Sequence, residues 1–287
     1  MSTLSPRSLR AIRGKSWTSK IQLKGNGSFY LGIGIISFLI IMAIAAPLFT
    51  HYDPTGQDLE NTLIAPNIHH WLGTDQLGRD VLTRIIYGAR IDLSIGFLAV
   101  LLPFFIGVTL GLFSGWFGGW FDTLLMRVVD TTIAFPFYVL AIALVFVVGA
   151  GPKSIVLAIT LVGWVAYCRI IRAAVLVAKE LDYVHAAKLS GLPTVRILRR
   201  HLMPNVISQA IIFSMSDIVL SILAIVSLGY LGLGVPIPTA EWGSMIQEGQ
   251  AYILQQWWIP TIPGIMVVIT GFGLSLIGDG LVKRLNK

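Results

Sequence analysis

Residues 93–121, LSIGFLAVLLPFFIGVTLGLFSGWFGGWF, contain no Asp, Glu, Lys or Arg. A helix that crosses the hydrocarbon core of a bilayer needs about 20 apolar residues. Because this stretch exceeds that length, it predicts a membrane-spanning helix. The composition agrees, since 55% of the residues are hydrophobic and only 12% are charged, whereas soluble chains carry about 25% charged residues.

Five further stretches are apolar enough to predict spans. They are residues 31–49, 131–152, 154–168, 206–236 and 249–278. The sequence therefore predicts an all-α polytopic membrane protein of six transmembrane helices. Residues 1–28 form a predicted basic cytoplasmic tail, and residues 29–287 form the six-helix domain.

The net charge of +7 is distributed unevenly along the chain. Basic residues dominate segments 1–24 and 169–205, whereas segments 50–92 and 237–256 lean acidic. Short cytoplasmic loops of membrane proteins carry an excess of Lys and Arg. This pattern predicts that both termini are cytoplasmic, and it explains the charge without a nucleic-acid partner.

No soluble catalytic domain fits between the predicted spans. The longest segments outside them, 50–92 and 169–205, are at or below the size at which a domain folds unaided. No H-E-x-x-H or G-x-S-x-G motif occurs. We therefore predict a protein that is not an enzyme and binds no cofactor or metal; His51, His69 and His70 lack a third well-spaced ligand and are expected to be solvated.

Glycines recur at every fourth position of the second span, at Gly107, Gly111, Gly115 and Gly119. Small residues with this period let another helix approach closely within a membrane. The pattern predicts a helix-packing ridge, either within this chain or against a second membrane subunit.

Segment 180–205 reads as a helical hairpin. Asp182 is placed to cap a short helix, Gly191 to adopt a left-handed conformation after it, and Pro193 to stop it. A second basic helix, 194–201, follows and runs to Pro204. The small side chains of the hairpin suit a groove on another protein, while its arginines also suit anionic lipid.

Charged residues at two further places are candidates for a structural or functional role. Asp217 lies within the fifth span, where a carboxylate is costly unless it faces protein, water or a partner charge. It is interpreted either as a structural hydrogen-bonding group or as a residue of a translocation path. Asp75, Arg79 and Asp80 are expected to form an interfacial charge cluster that anchors the second span.

Several motifs resemble one family. Ala186-Ala187, Gly191 and the run 201–205, His-Leu-Met-Pro-Asn, are similar to the E-A-A-x3-G loop of permease subunits of bacterial ABC importers. The segments that resemble the dipeptide/oligopeptide/nickel branch, and its C-type permease subunit above all, are 70–80, 118–130, 228–234, 240–243 and 278–280.

This resemblance implies a type I ABC importer permease fold. It implies a second six-span permease subunit as heterodimer partner, two cytoplasmic ATPase subunits that bind ATP and Mg, and an extracytoplasmic substrate-binding protein. The substrates implied are small peptides or nickel and other metal chelates. A self-contained secondary transporter or channel is the alternative, although inverted repeats are not evident.

By the same resemblance, residues 182–191 form a coupling helix on the ATPase. The residues implied in this contact are Tyr183, His185, Ala186, Ala187, Ser190, Gly191, His201, Pro204 and Asn205. His185 stands where the family has Glu, and Met203 stands where it usually has Leu. An acidic contact at position 185 is therefore not implied.

Overall fold

The computed structural model describes residues 18–285, and its regular secondary structure is entirely helical. The α-helices are α1 Thr18–Ile44, α2 Ala46–Phe49, α3 Val81–Phe117, α4 Gly119–Ile133, α5 Phe137–Val148, α6 Pro152–Ala178, α7 Asp182–Leu189, α8 Thr194–Arg196, α9 Met203–Tyr230, α10 Trp242–Gly249 and α11 Trp258–Leu285. A π-helix, Ile197–Leu202, joins α8 to α9, and short 3-10 helices lie at Leu59–Asn61 and Gln250–Tyr252. The all-α prediction is confirmed.

Five helical segments are long and apolar enough to span a membrane, and a bent pair, α4 and α5, would make a sixth span. Apolar side chains on their outer faces, such as Phe38, Ile41 and Val268, remain exposed, as expected for surfaces that contact lipid. Helix α1 already begins at Thr18, inside the predicted tail 1–28, and residues 1–17 lie outside the described part of the chain.

Two predicted spans were too short because charged residues were taken as their limits. Helix α3 begins at Val81, well before residue 93, and includes Arg84, which is 1% exposed and paired with acids. Helix α6 continues past residue 168 to Ala178 and includes Arg172, which is paired with Asp122. Pairing with acids lets these helices carry charge.

The third predicted span, 131–152, is wrong as a continuous helix. The chain bends by 94° between α4 and α5, at the break before Pro136, because proline disfavours a helical residue before it and cannot donate a backbone hydrogen bond. Helix α5 has 12 residues, about 18 Å, which is less than the roughly 30 Å hydrocarbon core.

The order of contacts fixes the relative directions of the helices. Gly107 lies against Trp164 and Gly115 against Val175, so α3 and α6 are parallel. The chain must therefore return across the bundle between them, and only α4 and α5 are available to make that crossing. Helices α1 and α11 are antiparallel, with Phe29 beside Gly280.

The bundle has two ends that matter for the sites below. The α7 end carries α7, the end of α3 and the end of α6. The α10 end carries α10, the irregular segment 50–80 and the beginnings of α3 and α6. One buried apolar cluster at the α10 end includes Trp242, and another at the α7 end includes Val184 and Leu202.

Candidate functional site

The α7 segment is a hairpin that projects from the bundle yet is fixed to it. Val184 and Ala187 are 0% and 6% exposed and pack with Val175 of α6 and with Leu198 and Leu202. Ala187 therefore anchors the hairpin, a correction to its expected place among the small surface residues. A displacement of α7 must move α6 and α9, because the contact between them is a packed core and not a loop.

The exposed side of the hairpin carries the other expected residues. Tyr183, His185, Ala186, Ser190 and Gly191 are all exposed. Neighbouring apolar side chains are exposed as well, with Leu189 at 89% and Val195 at 74%. Three exposed arginines follow, at 196, 199 and 200, with His201 beside the last of them. The tip is therefore an apolar surface next to a basic one.

The turn that follows α7 depends on glycine. Gly191 has φ +69°, which places it in the left-handed region that side chains with a Cβ rarely adopt. Its N–H donates to the carbonyl of Lys188 at 3.0 Å. The start of the helix differs from the prediction: Leu181 holds the N-cap position and Asp182 lies in the first turn, where its charge still favours the helix dipole.

The second helix of the hairpin continues into the fifth span. Residues Thr194–Tyr230 are one helical segment, with the π-helix placed just before Pro204, which lacks the N–H needed for the α-helical ladder. Asn205 is exposed; its Nδ2 donates to the His201 carbonyl at 2.6 Å and to the Tyr183 hydroxyl at 3.4 Å. Asn205 thus ties α7 to the start of α9.

Two lysines that the sequence did not single out connect the hairpin region to α3. The ammonium of Lys188 lies 4.9 Å from the centre of the Trp116 ring, a cation–π distance. Lys179 Nζ donates to the carbonyl of Gly115 at 3.2 Å. Both cations sit at the carboxyl end of α3, where the helix dipole favours positive charge.

The same end is held by a charged contact between α4 and α6. Arg172 donates from Nε and Nη2 to the two carboxylate oxygens of Asp122, at 2.5 and 2.6 Å, and Ser114 of α3 also donates to Asp122. A two-point Arg–carboxylate contact fixes orientation as well as distance. Helices α3, α4 and α6 are therefore joined where α7 is anchored.

Asp217 lies near the middle of α9. The Tyr167 hydroxyl donates to its Oδ2 at 2.7 Å, and no described residue donates a hydrogen bond to Oδ1. The residue is only partly buried. The carboxylate thus has one oxygen held by α6 and one oxygen left for another group.

The glycine ridge faces α6. A Cβ added at Gly107 would lie 2.3 Å from the Trp164 carbonyl oxygen, and one at Gly111 would lie 2.5 Å from that of Cys168. One added at Gly115 would lie 2.8 Å from Val175 Cβ. Gly119 is different: it belongs to α4, and nothing lies within 4 Å of its Cβ position, so the ridge ends at Gly115.

At the α10 end, the expected interfacial charge cluster is a buried network. Arg79, 0% exposed, donates to Asp75 at 2.6 Å and to Glu248 of α10 at 2.8 Å. Arg84 contacts the same two acids at 3.4 and 3.2 Å. Because removing one member would leave a buried charge unpaired, this network fastens segment 50–80 and α10 to α3.

Asp80 caps α3. Its Oδ2 accepts hydrogen bonds from the backbone N–H and the hydroxyl of Thr83, at 2.8 and 2.7 Å, and its Oδ1 contacts His70 Nδ1 at 3.0 Å. His70 thus contacts the residue that caps α3. Among the described residues, no three His, Cys, Asp or Glu side chains are grouped to hold a metal ion.

Glu241 begins α10 and is 0% exposed. Its oxygens accept hydrogen bonds from the N–H groups of Gly243 and Ser244, at 2.6 and 2.8 Å. Burial raises the pKa of the Glu241 carboxyl above its ordinary value, while these N–H groups lower it. Sequence motifs 228–234 and 240–243 meet here, since Gly229 packs directly on this carboxylate.

An all-helical bundle with five or six helical spans and a hairpin packed on one end defines a polytopic membrane protein. Residues 107–287 match the model of the binding-protein-dependent transport system inner membrane component family, and residues 17–66 match the N-terminal transmembrane domain of oligopeptide transport permease C. The chain belongs to the family of binding-protein-dependent transport inner membrane components. The prediction of a permease subunit is confirmed.

Similar proteins include two named peptide permeases. The dipeptide transport system permease protein DppC of Alkalihalophilus pseudofirmus is 38% identical over 92% of this chain and 87% of its own length. The oligopeptide transport system permease protein OppC of Bacillus subtilis is 38% identical over 93% of this chain and 87% of its own length.

A solved structure supports the fold. An inward-facing conformation of the MetNI methionine ABC transporter superposes with a TM-score of 0.57 at 18% identity, over 72% of this chain and 98% of the matched chain. The predicted type I importer permease fold is confirmed. The alternative of a self-contained secondary transporter or channel is not supported.

Proposed function

We propose that this chain is the C-type permease subunit of an ATP-driven importer of di- or oligopeptides, with α7 as the element that docks on an ATPase. The observation that carries the proposal is the hairpin, which exposes an apolar tip while Val184 and Ala187 lock its base into the bundle. The names of the two permeases described above refer to dipeptides and oligopeptides, and neither refers to nickel.

The proposed assembly follows from the family. A second six-span permease completes the path, two ATPase subunits bind ATP and Mg at the α7 end, and an extracytoplasmic binding protein delivers substrate at the α10 end. The basic residues of the hairpin support a cytoplasmic α7 end, and therefore cytoplasmic termini. The acidic composition of segments 50–92 and 237–256 supports the opposite side for the α10 end.

In the proposed mechanism, ATPase closure displaces α7, and the packed base passes that displacement to α6 and α9. The contacts of Lys188 and Lys179 with the end of α3 add a third helix to the moving group. Alternating access then results from rearrangement of these helices against the second permease. The chain itself contributes no bond chemistry.

Two measurements test this function. Purification of the tagged chain from its native membrane is expected to co-purify an ATPase and a second polytopic permease. Deletion of the chain is expected to abolish uptake of labelled peptides and to spare uptake of nickel chelates. Normal peptide uptake after deletion would refute the proposal that peptides are the substrate. Purification without an ATPase would refute the proposed assembly.

We further propose that Asp217 faces the substrate path with its free oxygen. Asp217→Asn keeps an acceptor for Tyr167 and removes the charge, whereas Tyr167→Phe keeps the charge and removes the hydrogen bond. We expect Asp217→Asn to reduce uptake at least tenfold with normal complex assembly, and Tyr167→Phe to have the smaller effect on uptake. Normal uptake by the assembled Asp217→Asn complex would contradict the path role.

A further inference from the structure

The α10 end contains a second buried carboxyl group beside Glu241. Asp92, on α3, is 1% exposed, and its Oδ2 accepts a hydrogen bond from the backbone N–H of Trp242 at 3.0 Å. Among the described residues no N–H group or hydroxyl donates to its Oδ1. Asp92 and Glu241 both accept N–H groups of the first turn of α10, Asp92 from Trp242 and Glu241 from Gly243 and Ser244, so the two carboxyl groups lie side by side.

Neither carboxyl group has a cation for a partner among the described residues. The charged groups on the elements packed around them are engaged elsewhere: Arg84 with Asp75 and Glu248, Arg90 with the Ala43 and Ile44 carbonyls, and Asp217 with Tyr167. Residues 231–240 contribute no charged side chain. Two adjacent ionised carboxylates without a cation are strongly disfavoured away from water.

The packing around Glu241 leaves space for a proton rather than a metal ion. A Cβ added at Gly229 would lie 2.2 Å from Glu241 Oε2, and one added at Gly234 would lie 3.3 Å from the same atom. The backbone of the glycine-rich turn thus already contacts this oxygen. A hydrogen bond between the two carboxyl groups needs only one hydrogen on one of them.

The hydrogen-bond donors decide which group keeps that hydrogen. Glu241 accepts two backbone N–H bonds, one on each oxygen, and hydrogen bonding to the charged form stabilises a carboxylate. Asp92 accepts one, on Oδ2. Glu241, which accepts more hydrogen bonds, is therefore the anion, and Asp92 keeps the hydrogen.

We propose that Asp92 is a proton-binding site: it is a neutral carboxylic acid that donates a hydrogen bond to the Glu241 carboxylate and so fastens α10 and the glycine-rich 231–241 segment to α3. The bond joins residues far apart in the sequence. It accounts for both sequence motifs, because the Glu241 carboxyl fits beside Asp92 only where Gly229 and Gly234 of motif 228–234 lack side chains.

The test compares two isosteric variants of the purified, assembled complex. Asp92→Asn replaces the acid O–H with an amide N–H that still donates to Glu241. Glu241→Gln instead directs an amide NH2 at the backbone N–H groups of Gly243 or Ser244. We expect Asp92→Asn to keep the wild-type unfolding midpoint and Glu241→Gln to lower it.

Infrared spectroscopy provides a readout that stability alone does not. We expect the wild-type complex to show the carbonyl stretch of a protonated carboxyl group, with a shift in D2O, and the Asp92→Asn complex to lack that band. A band unchanged in Asp92→Asn would overturn the proposal. Destabilisation by Asp92→Asn as large as that by Glu241→Gln would overturn it as well, since it would require an ionised Asp92.

Discussion

Replacing Gly191 with valine is expected to abolish uptake while leaving membrane insertion intact. Gly191 has φ +69° and is exposed after α7. A β-branched residue at this φ is strained by about 1–3 kcal/mol, and the added side chain projects from the surface proposed to meet the ATPase. Radiolabelled peptide uptake, with chain abundance in the membrane measured in parallel, checks the result.

The chain supplies a matched control for backbone strain. Gly232 has φ +76°, and its Cβ position, like that of Gly191, has no atom within 4 Å. It lies at the α10 end, away from the proposed ATPase contact. We expect Gly232→Val to retain most uptake and normal ATPase binding, and Gly191→Val to lose both. Uptake by Gly191→Val at the wild-type rate would refute the coupling role of the hairpin.

A second substitution at Gly191 separates the effect of an added side chain from the effect of backbone strain. Asparagine tolerates the left-handed region better than other residues with a Cβ, so Gly191→Asn relieves the strain while still adding a side chain. Loss of ATPase binding in both variants would locate the defect in the contact surface. Loss of ATPase binding in Gly191→Val alone would locate the defect in the turn.

The sequence revealed the apolar runs and the hairpin because both depend on local composition. Gly191 and Pro193 are turn residues whose geometry follows from their own covalent structure. The residues at which the helices begin and end were harder to predict from the sequence. Asp92 and Arg169 limited the predicted runs, but the helices continue past them to include Arg84 and Arg172. The acids that pair with these two arginines, Glu248 and Asp122, lie far away in the sequence.

The contacts of the hairpin base and the buried carboxyl pair were also missed for a physical reason. Lys188 meets Trp116, and Asp92 meets the first turn of α10 at Trp242, only after α3 has been packed against later parts of the chain. Single-sequence patterns report which face of a helix is apolar, but they do not report its partner. The break at Pro136 is the exception, since its signal was local and was available in the sequence.

The largest loss of stability is expected from the smallest change on the glycine ridge, Gly107→Ala. The new Cβ would lie 2.3 Å from the Trp164 carbonyl oxygen and 2.5 Å from Tyr167 Cβ. The first of these contacts is with backbone, so the clash is relieved only by moving α6 away from α3. Overpacking of this kind costs about 1–3 kcal/mol, and in the bundle it also loosens the Tyr167 contact with Asp217.

The matched control is Gly34→Ala on α1, where nothing lies within 4 Å of the added Cβ. Both changes add the same methyl group to a helix, and alanine is the better helix former by about 1 kcal/mol. The unfolding midpoint of the purified complex is therefore expected to fall for Gly107→Ala and to stay equal or rise for Gly34→Ala. Equal midpoints would mean that α3 and α6 are not in backbone contact, and the parallel packing that forces α4 and α5 to make the return crossing would lose its support.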